Sequence, residues 1–283
     1  MNGIQGAPCP ADPTPGLFGI DMITITSPQN QKIKDVIKLR DSKARRQTGL
    51  FVLEGAREIS RALDSTYILK SLYVCHDVLS PEARELTSQI DERLKLNITM
   101  EVFSKLAVRE GSDGLVAVLE QKSFDLSSIP DKPDPWLLVL ENIEKPGNFG
   151  ALARSADGAG IDAIVILDPK ADPFNPNALR ASVGALFSRP LIVTDHETFA
   201  AYCARKKIRI VTASPFAKDF HFQADLRGPL ALVLGSEAWG LSPVWQKLEN
   251  IPVKIPMQGL ADSLNVSVAG AVILYEALRQ RWS

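Results

Sequence analysis

A chain of 283 residues, 45% hydrophobic and 23% charged, has the composition of a soluble globular protein and is long enough for two domains, each with its own core. Its formal net charge of −1 excludes a molecule-wide positive field, so any nucleic-acid surface has to be local. Three scattered cysteines (Cys9, Cys75, Cys203) without a C-x-x-C pair, three histidines (His76, His196, His221) without ligand spacing, and apolar runs too short to span a bilayer argue against a disulfide framework, a metal site and a membrane anchor; a reducing compartment, the cytoplasm, is expected.

The first 21 residues carry Pro8, Pro10, Pro13 and Pro15 with several glycines and no Lys or Arg, which predicts a disordered tail and is neither a signal nor a transit peptide. Met22, where organised sequence begins, is an alternative start. The region 22–122 reads as a small α/β domain. Its first element is a helix over Asn30–Arg46, with Ile33, Val36, Ile37 and Leu39 on the apolar side. The other positions carry Lys32, Lys34, Lys38, Arg40, Lys43, Arg45 and Arg46, either a solvated face or a phosphate-contacting patch. Strands at Leu50–Leu53, Ser71–Val74, Ile98–Val102 and Leu115–Leu119 alternate with helices at Ala56–Leu63 and Pro81–Ile90. No nucleophile–base pair stands out here; Glu54 beside Gly55 is weak evidence for a site.

The proline-rich stretch 123–135 reads as a linker. From 136 to 283 the strands are nearly continuous apolar runs, as in a parallel sheet buried on both faces: Trp136–Leu140, Ile164–Leu167, Leu191–Val193, Ile208–Thr212, Leu230–Leu234 and Val253–Ile255. Helices are read after Gly150 (bearing Arg154 near its start and stopped by Gly160), at Ala178–Leu186 and at the C-terminus. This alternation gives a doubly wound, mostly parallel sheet, whose ligands bind beyond the carboxyl ends of the strands. Three glycine-containing loops fall there: Glu141–Gly150, Gly235–Gly240 and the stretch from Ile255 to Asn265. The last enters the terminal helix through Asp262, Ser263 and Asn265, all good N-cap residues, and so offers free backbone N–H groups and small polar side chains to a polar ligand. Neither G-x-G-x-x-G nor a P-loop is present, which argues against a dinucleotide dehydrogenase or an ATPase.

Three segments in this half carry a resemblance. Asn148-Phe-Gly-Ala-Leu-Ala-Arg154, Leu234-Gly-Ser-Glu237 with Gly240-Leu-Ser242, and Ile255-Pro-Met257 with Ser263-Leu-Asn-Val-Ser267 resemble, in order and spacing, the three motifs of the SpoU (TrmH-type) RNA ribose 2′-O-methyltransferases. Arg180-Ala-Ser-Val-Gly-Ala-Leu-Phe187 is similar to a further segment of that family, and Asn30–Glu54 resembles the small substrate-binding domain of its longer members. The resemblance implies a SPOUT-like α/β fold whose C-terminal segment is threaded into a trefoil knot, an exception to the un-knotted rule. It also implies S-adenosylmethionine bound in the knot, a homodimer formed through the C-terminal domain, and structured RNA as substrate, rRNA ahead of tRNA. A knotted RNA-binding or ribosome-assembly protein without catalysis is the alternative of a different class.

Residue by residue, the resemblance assigns Arg154, by spacing alone a surface arginine, to stabilising the activated ribose hydroxyl. Asn148 is either an Asx-turn before the helix or a catalytic, loop-shaping residue. Glu237 orders the loop or positions Arg154 of the other subunit, and Asn265 and Ser267 start a helix while also able to orient the ribose. Leu234, Gly235, Gly240, Ile255, Met257 and Leu264 form the cofactor set. Lys32, Lys38, Arg45, Arg46 and Arg180 form the RNA-contacting set, although Arg180 and Ser182 serve equally for dimer packing. Two positions depart from the family pattern: Trp239, where a small or polar residue is usual, and Asp262, where glutamate is common.

Overall fold

The computed structural model describes residues 24–108, 111–167 and 172–282; the tail and the start at Met22 lie outside them. The chain begins with β1 (Thr24–Ile25), α1 (Gln31–Lys38), α2 (Ser42–Thr48), β2 (Leu50–Glu54), α3 (Ala56–Asp64), β3 (Leu69–Val74), α4 (Pro81–Gln89), β4 (Lys95–Ile98), α5 (Met100–Leu106) and β5 (Leu115–Glu120). These strands make a five-stranded sheet in the order β1-β4-β3-β5-β2. Two expectations fail here. The single helix over 30–46 is two helices, because Asn30 and Asp41 each cap one with a side-chain oxygen that accepts from Lys32 N and Lys43 N, and left-handed Gly49 ends the second. The strand expected at Ile98–Val102 stops at Ile98, and the following helix buries Val102, Phe103 and Leu106, a helical spacing that β-branched Ile98 and Thr99 disguise.

The second sheet takes in β6 (Trp136–Glu141), α6 (Pro146–Ala159), β7 (Ala163–Leu167), α7 (Pro176–Ser182), β8 (Leu191–Thr194), α8 (His196–Lys206), β9 (Arg209–Ala213), β10 (Asp219–Phe220), β11 (Leu230–Leu234), β12 (Ile251–Lys254) and α9 (Val266–Trp282). Its seven strands run β10-β12-β9-β11-β6-β7-β8, every pair parallel. Alternate residues of the central strands feed two cores: Leu138, Leu140, Leu232 and Leu234 pack with α6, α7 and α9, whereas Leu137, Val139 and Val233 pack with Phe199, Tyr202 and Cys203 of α8. The helix expected over 178–186 ends at Ser182, since Val183 and Gly184 turn left-handed before a 3-10 turn at Ala185–Phe187.

The two sheets share one core. Phe51 of β2 sits 4.7 Å from Phe174 and 5.9 Å from Phe187 by ring centroids, and Tyr67 meets Phe187 edge-on at 5.0 Å. Arg61 Nη1 donates to Val183 O at 2.5 Å, and a Cβ on Gly184 would lie 2.7 Å from Arg61 Cδ. The joining stretch is packed as well: Ile129 is buried and Phe124 bridges Ile192. The basic side chains of α1 and α2 are therefore held in fixed relation to the loops of the second sheet.

Candidate functional site

Because the strands of the second sheet are all parallel, the loops after β12, β9, β11 and β6 gather at one edge, side by side in that order. The loop after β11 closes on itself, with Ser236 N donating to Gly240 O at 3.0 Å and Gly240 N to Ser236 O at 2.9 Å. The closure needs glycine at both ends. A Cβ at Gly235 would stand 2.5 Å from the carbonyl carbon and oxygen of Gly240, and Gly240 has φ +66. Ser236 is buried, and its Oγ accepts from Ala238 N, which fixes the tip.

The tip presents Glu237 to α6. Asn148 Nδ2 donates to Glu237 Oε1 at 2.6 Å, and Asn148 Oδ1 accepts from Asn265 Nδ2 at 3.2 Å. Asn265 Oδ1 in turn accepts from Ser267 N at 2.9 Å and Ser267 Oγ at 2.6 Å, while Asn265 O accepts from Ala269 N, so Asn265 also caps α9. Four residues from three distant segments thus form one hydrogen-bonded chain. The Asx-turn alternative for Asn148 falls away. The helix starts at Pro146, a turn earlier than expected, and its carboxamide is spent on Glu237 and Asn265.

The same early start places Arg154 past the middle of α6 instead of near its N-terminus. At about 1.5 Å rise and 100° per residue it lies roughly 9 Å along the axis from Asn148, on another side of the helix. It is exposed and shares its face with Gly158, where a Cβ would come 2.7 Å from Tyr275 Oη of α9.

Of the cofactor candidates, Leu234 is buried under the edge, Ile255 and Met257 are half-buried, and Leu264 is 36% exposed. Strand order adds a wall that the sequence reading missed: β9 lies between β12 and β11, so the loop 214–218 stands between the two loops that were singled out. A buried anchor was missed as well. Glu141, fully buried at the end of β6, accepts from His196 Nε2 at 2.5 Å through Oε1, and from Ser242 N at 3.0 Å and Trp245 Nε1 at 3.1 Å through Oε2. Burial pushes its pKa up, but the hydrogen bonds from Ser242, His196 and Trp245 outweigh burial and leave the carboxyl below the usual glutamate value. Nothing local in the sequence marks Glu141; its partners come from α8 and from beyond the β11 loop.

Of the basic set, Lys32, Lys38 and Arg46 are exposed, with Lys38 paired to Asp35 at 2.9 Å. Exposed Arg180 lines a cavity of about 370 Å³ between the two sheets, together with Arg40 and Arg57. Arg45 is a correction: it is 1% exposed, its Nε donates to Asp172 Oδ2 at 2.7 Å and its Nη1 to Leu39 O at 2.7 Å, so it ties the two sheets together and cannot reach RNA. Among the described residues no group of three His, Cys, Asp or Glu could hold a metal ion, and no helix is long and apolar enough to cross a membrane.

The pattern of the SpoU rRNA Methylase family matches residues 135–275, and that of the MRM3-like substrate binding domain matches 30–117. The 23S rRNA (uridine(2479)-2′-O)-methyltransferase of Streptomyces viridochromogenes is 34% identical over 256 residues, which cover 87% of this chain and 88% of that one. A solved RNA 2′-O ribose methyltransferase superposes with a TM-score of 0.81 at 37% identity, over 92% of this chain and all of that one. The SpoU methyltransferase AviRb from Streptomyces viridochromogenes, solved with AdoMet, superposes with a TM-score of 0.82 at 31% identity, over 90% of this chain and 99% of that one.

Proposed function

The chain belongs to the SpoU rRNA methylase family, and from that premise we propose that it transfers a methyl group from S-adenosylmethionine to a ribose 2′-hydroxyl of structured RNA, with ribosomal RNA as the substrate. The observation that carries this reading is the hydrogen-bonded meeting of Glu237, Asn148, Asn265 and Ser267, one from each of the first two motifs and two from the third, at the carboxyl edge of the sheet. The fold is the SPOUT-like α/β class, and this reading includes the C-terminal knot that the resemblance implies.

The residues present fit the cofactor. Gly235 and the left-handed Gly240 let the β11 loop close tightly with no side chain on either, and partly exposed Ile255, Met257 and Leu264 offer apolar surface at the same edge of the sheet. S-adenosylmethionine, when bound, supplies the electrophilic methyl group. Glu141 pins the far end of the β11 loop from below, so Glu237 is presented from a fixed base. Asn265 holds the Asn148 carboxamide, and the Ser267 oxygen, its proton given to Asn265, and Glu237 Oε2 are left as acceptors to orient a ribose. Arg154 stabilises negative charge developing on the 2′-oxygen and the adjacent phosphate, since a guanidinium is a donor and not a base. Gly235→Ala tests the cradle. The added Cβ meets backbone that cannot move aside, and the expected result is a Kd for S-adenosylmethionine raised about 30-fold, equivalent to about 2 kcal/mol, by calorimetry.

A homodimer completes the site in this reading. Val268, Val272 and Tyr275 form an exposed apolar stripe on α9 at i, i+4 and i+7, next to the face of α6 that carries Arg154. Arg154 faces away from its own Asn148, which suits an arginine delivered to the partner's site. Sedimentation equilibrium is expected to give twice the chain mass of 30.9 kDa. In this reading the enzyme works in the cytoplasm, where its RNA is. The deciding experiment maps 2′-O-methyl groups in total RNA from cells with and without the gene. Loss of one ribosomal position, restored in vitro by purified protein and S-adenosylmethionine, is expected. An unchanged map together with no transfer in vitro would refute the enzyme reading.

A further inference from the structure

The indole of Trp239 is 83% exposed, although it sits on a loop closed by two backbone hydrogen bonds between Ser236 and Gly240. Trp136 and Trp245 are 3% and 4% exposed, and Trp282, at the end of the terminal helix, is 82% exposed; Trp239 differs from all three in standing exposed on a closed loop. The backbone beneath Trp239 is fixed: Ser236 and Gly240 exchange two hydrogen bonds around it, Ser236 Oγ lies 3.4 Å from Trp239 N, and Glu141 holds Ser242 just beyond. A large apolar ring held out into water on a rigid support is arranged to meet something flat.

Beside the ring lies a concavity of about 280 Å³, lined by Asn142, Ser236, Trp239, Gly240 and Pro243. Its place in the sheet says what it faces. The loops after β12 and β9 lie on one flank of the β11 tip, and Asn142, which follows β6, lies on the other. The Glu237–Asn148–Asn265 chain starts two residues before Trp239 on the same tip. Glu237 and Trp239 are two residues apart on one loop, so the base of a ribose held by that chain lies within reach of the indole and the concavity beside it. Exposed Lys145, three residues after Asn142, supplies positive charge for the attached phosphate. Single-stranded RNA is read by splayed bases stacked on aromatic rings.

We infer that Trp239 is the stacking platform for the base of the methylated nucleotide. The inference rests on the RNA methyl-transfer reading and adds to it a residue that selects an unpaired nucleotide. The test compares Trp239→Ala and Trp239→Phe with wild-type protein in the full chain, acting on an rRNA fragment that carries the mapped site. Trp239→Ala is expected to raise the KM for RNA roughly 30-fold, and Trp239→Phe to stay within about 3-fold, because a phenyl ring still stacks. The Kd for S-adenosylmethionine and the sedimentation mass stay at wild-type values. In a Trp282→Phe background, which removes the other exposed indole, the fragment quenches Trp239 fluorescence. A wild-type KM in Trp239→Ala would overturn the inference and leave methyl transfer standing. A weakened cofactor Kd would assign the ring to covering the cofactor, and a lowered mass would assign it to the dimer contact; each also overturns stacking. Wild-type protein that methylates no RNA would overturn both readings at once.

Discussion

Arg154→Ala is expected to bind S-adenosylmethionine and RNA with affinities within about 3-fold of wild type while turnover falls about 10³-fold. The affinities hold because the cradle at Gly235–Gly240 and the basic surface of α1 and α2 lie elsewhere, and because Arg154 is exposed on α6, with no fold-defining contact to lose. The rate falls because a 2′-hydroxyl becomes a competent nucleophile only as its oxygen gains negative charge, and a charged donor aimed at that oxygen contributes on the order of 10²–10³ in rate. Arg154→Lys separates charge from shape: it keeps the charge but loses the planar fork, and is expected to recover about tenfold of the loss. Single-turnover methylation with saturating RNA reads the chemical step directly. If Arg154 acts across a dimer, mixing the inactive Arg154→Ala chain with an inactive Asn148→Ala chain regenerates hybrid sites with both groups intact, and activity returns. No recovery in the mixture would confine Arg154 to its own protomer. A full wild-type rate in Arg154→Ala would remove it from the chemistry.

That experiment depends on a relation between Arg154 and Asn148 which the sequence half disclosed. Both lie in one motif, six residues apart, and each is identifiable from the resemblance. What the linear pattern hides is where the helix begins. Pro146 opens α6 within what reads as a glycine-rich loop, and this shift of one turn decides which side of the helix each residue takes. The central strands were legible because a strand buried on both faces has to be apolar throughout, as Trp136–Glu141 and Leu230–Leu234 largely are. Helix α8 was passed over, although Phe199, Tyr202 and Cys203 repeat at helical spacing behind the cap of Asp195. The Glu237–Asn148–Asn265 chain joins positions 89 and 117 residues apart, and Glu141 meets Trp245 across 104; pairings at such separation leave no periodicity to read.

Arg45→Met is expected to destabilise the folded protein by about 3 kcal/mol without changing the salt dependence of RNA binding. By sequence Arg45 is one more charge in a basic run, grouped with Lys32, Lys38 and Arg46. The break between α1 and α2, set by the cap at Asp41, turns it inward until 1% of its surface remains exposed. There it neutralises Asp172, in the segment between β7 and α7, and satisfies Leu39 O, beside the stack of Phe51 on Phe174. Removing the cation leaves a mostly buried carboxylate whose other oxygen, Oδ1, keeps the N–H of Phe174, and breaking a buried pair on one side typically costs 3–5 kcal/mol. The loss is expected as a lower urea midpoint with one cooperative transition, because the two sheets share a continuous core. Arg45→Met with Asp172→Leu removes both charges and is expected to recover most of it, which separates an uncompensated charge from lost packing. Arg46→Ala supplies the contrast. Exposed on the same helix, it is expected to leave the urea midpoint alone and to reduce the slope of log affinity against log salt by about one phosphate contact. A reversed pattern, with Arg45→Met stable and shallower in salt, would put Arg45 on the RNA after all and require the helix to open toward its substrate.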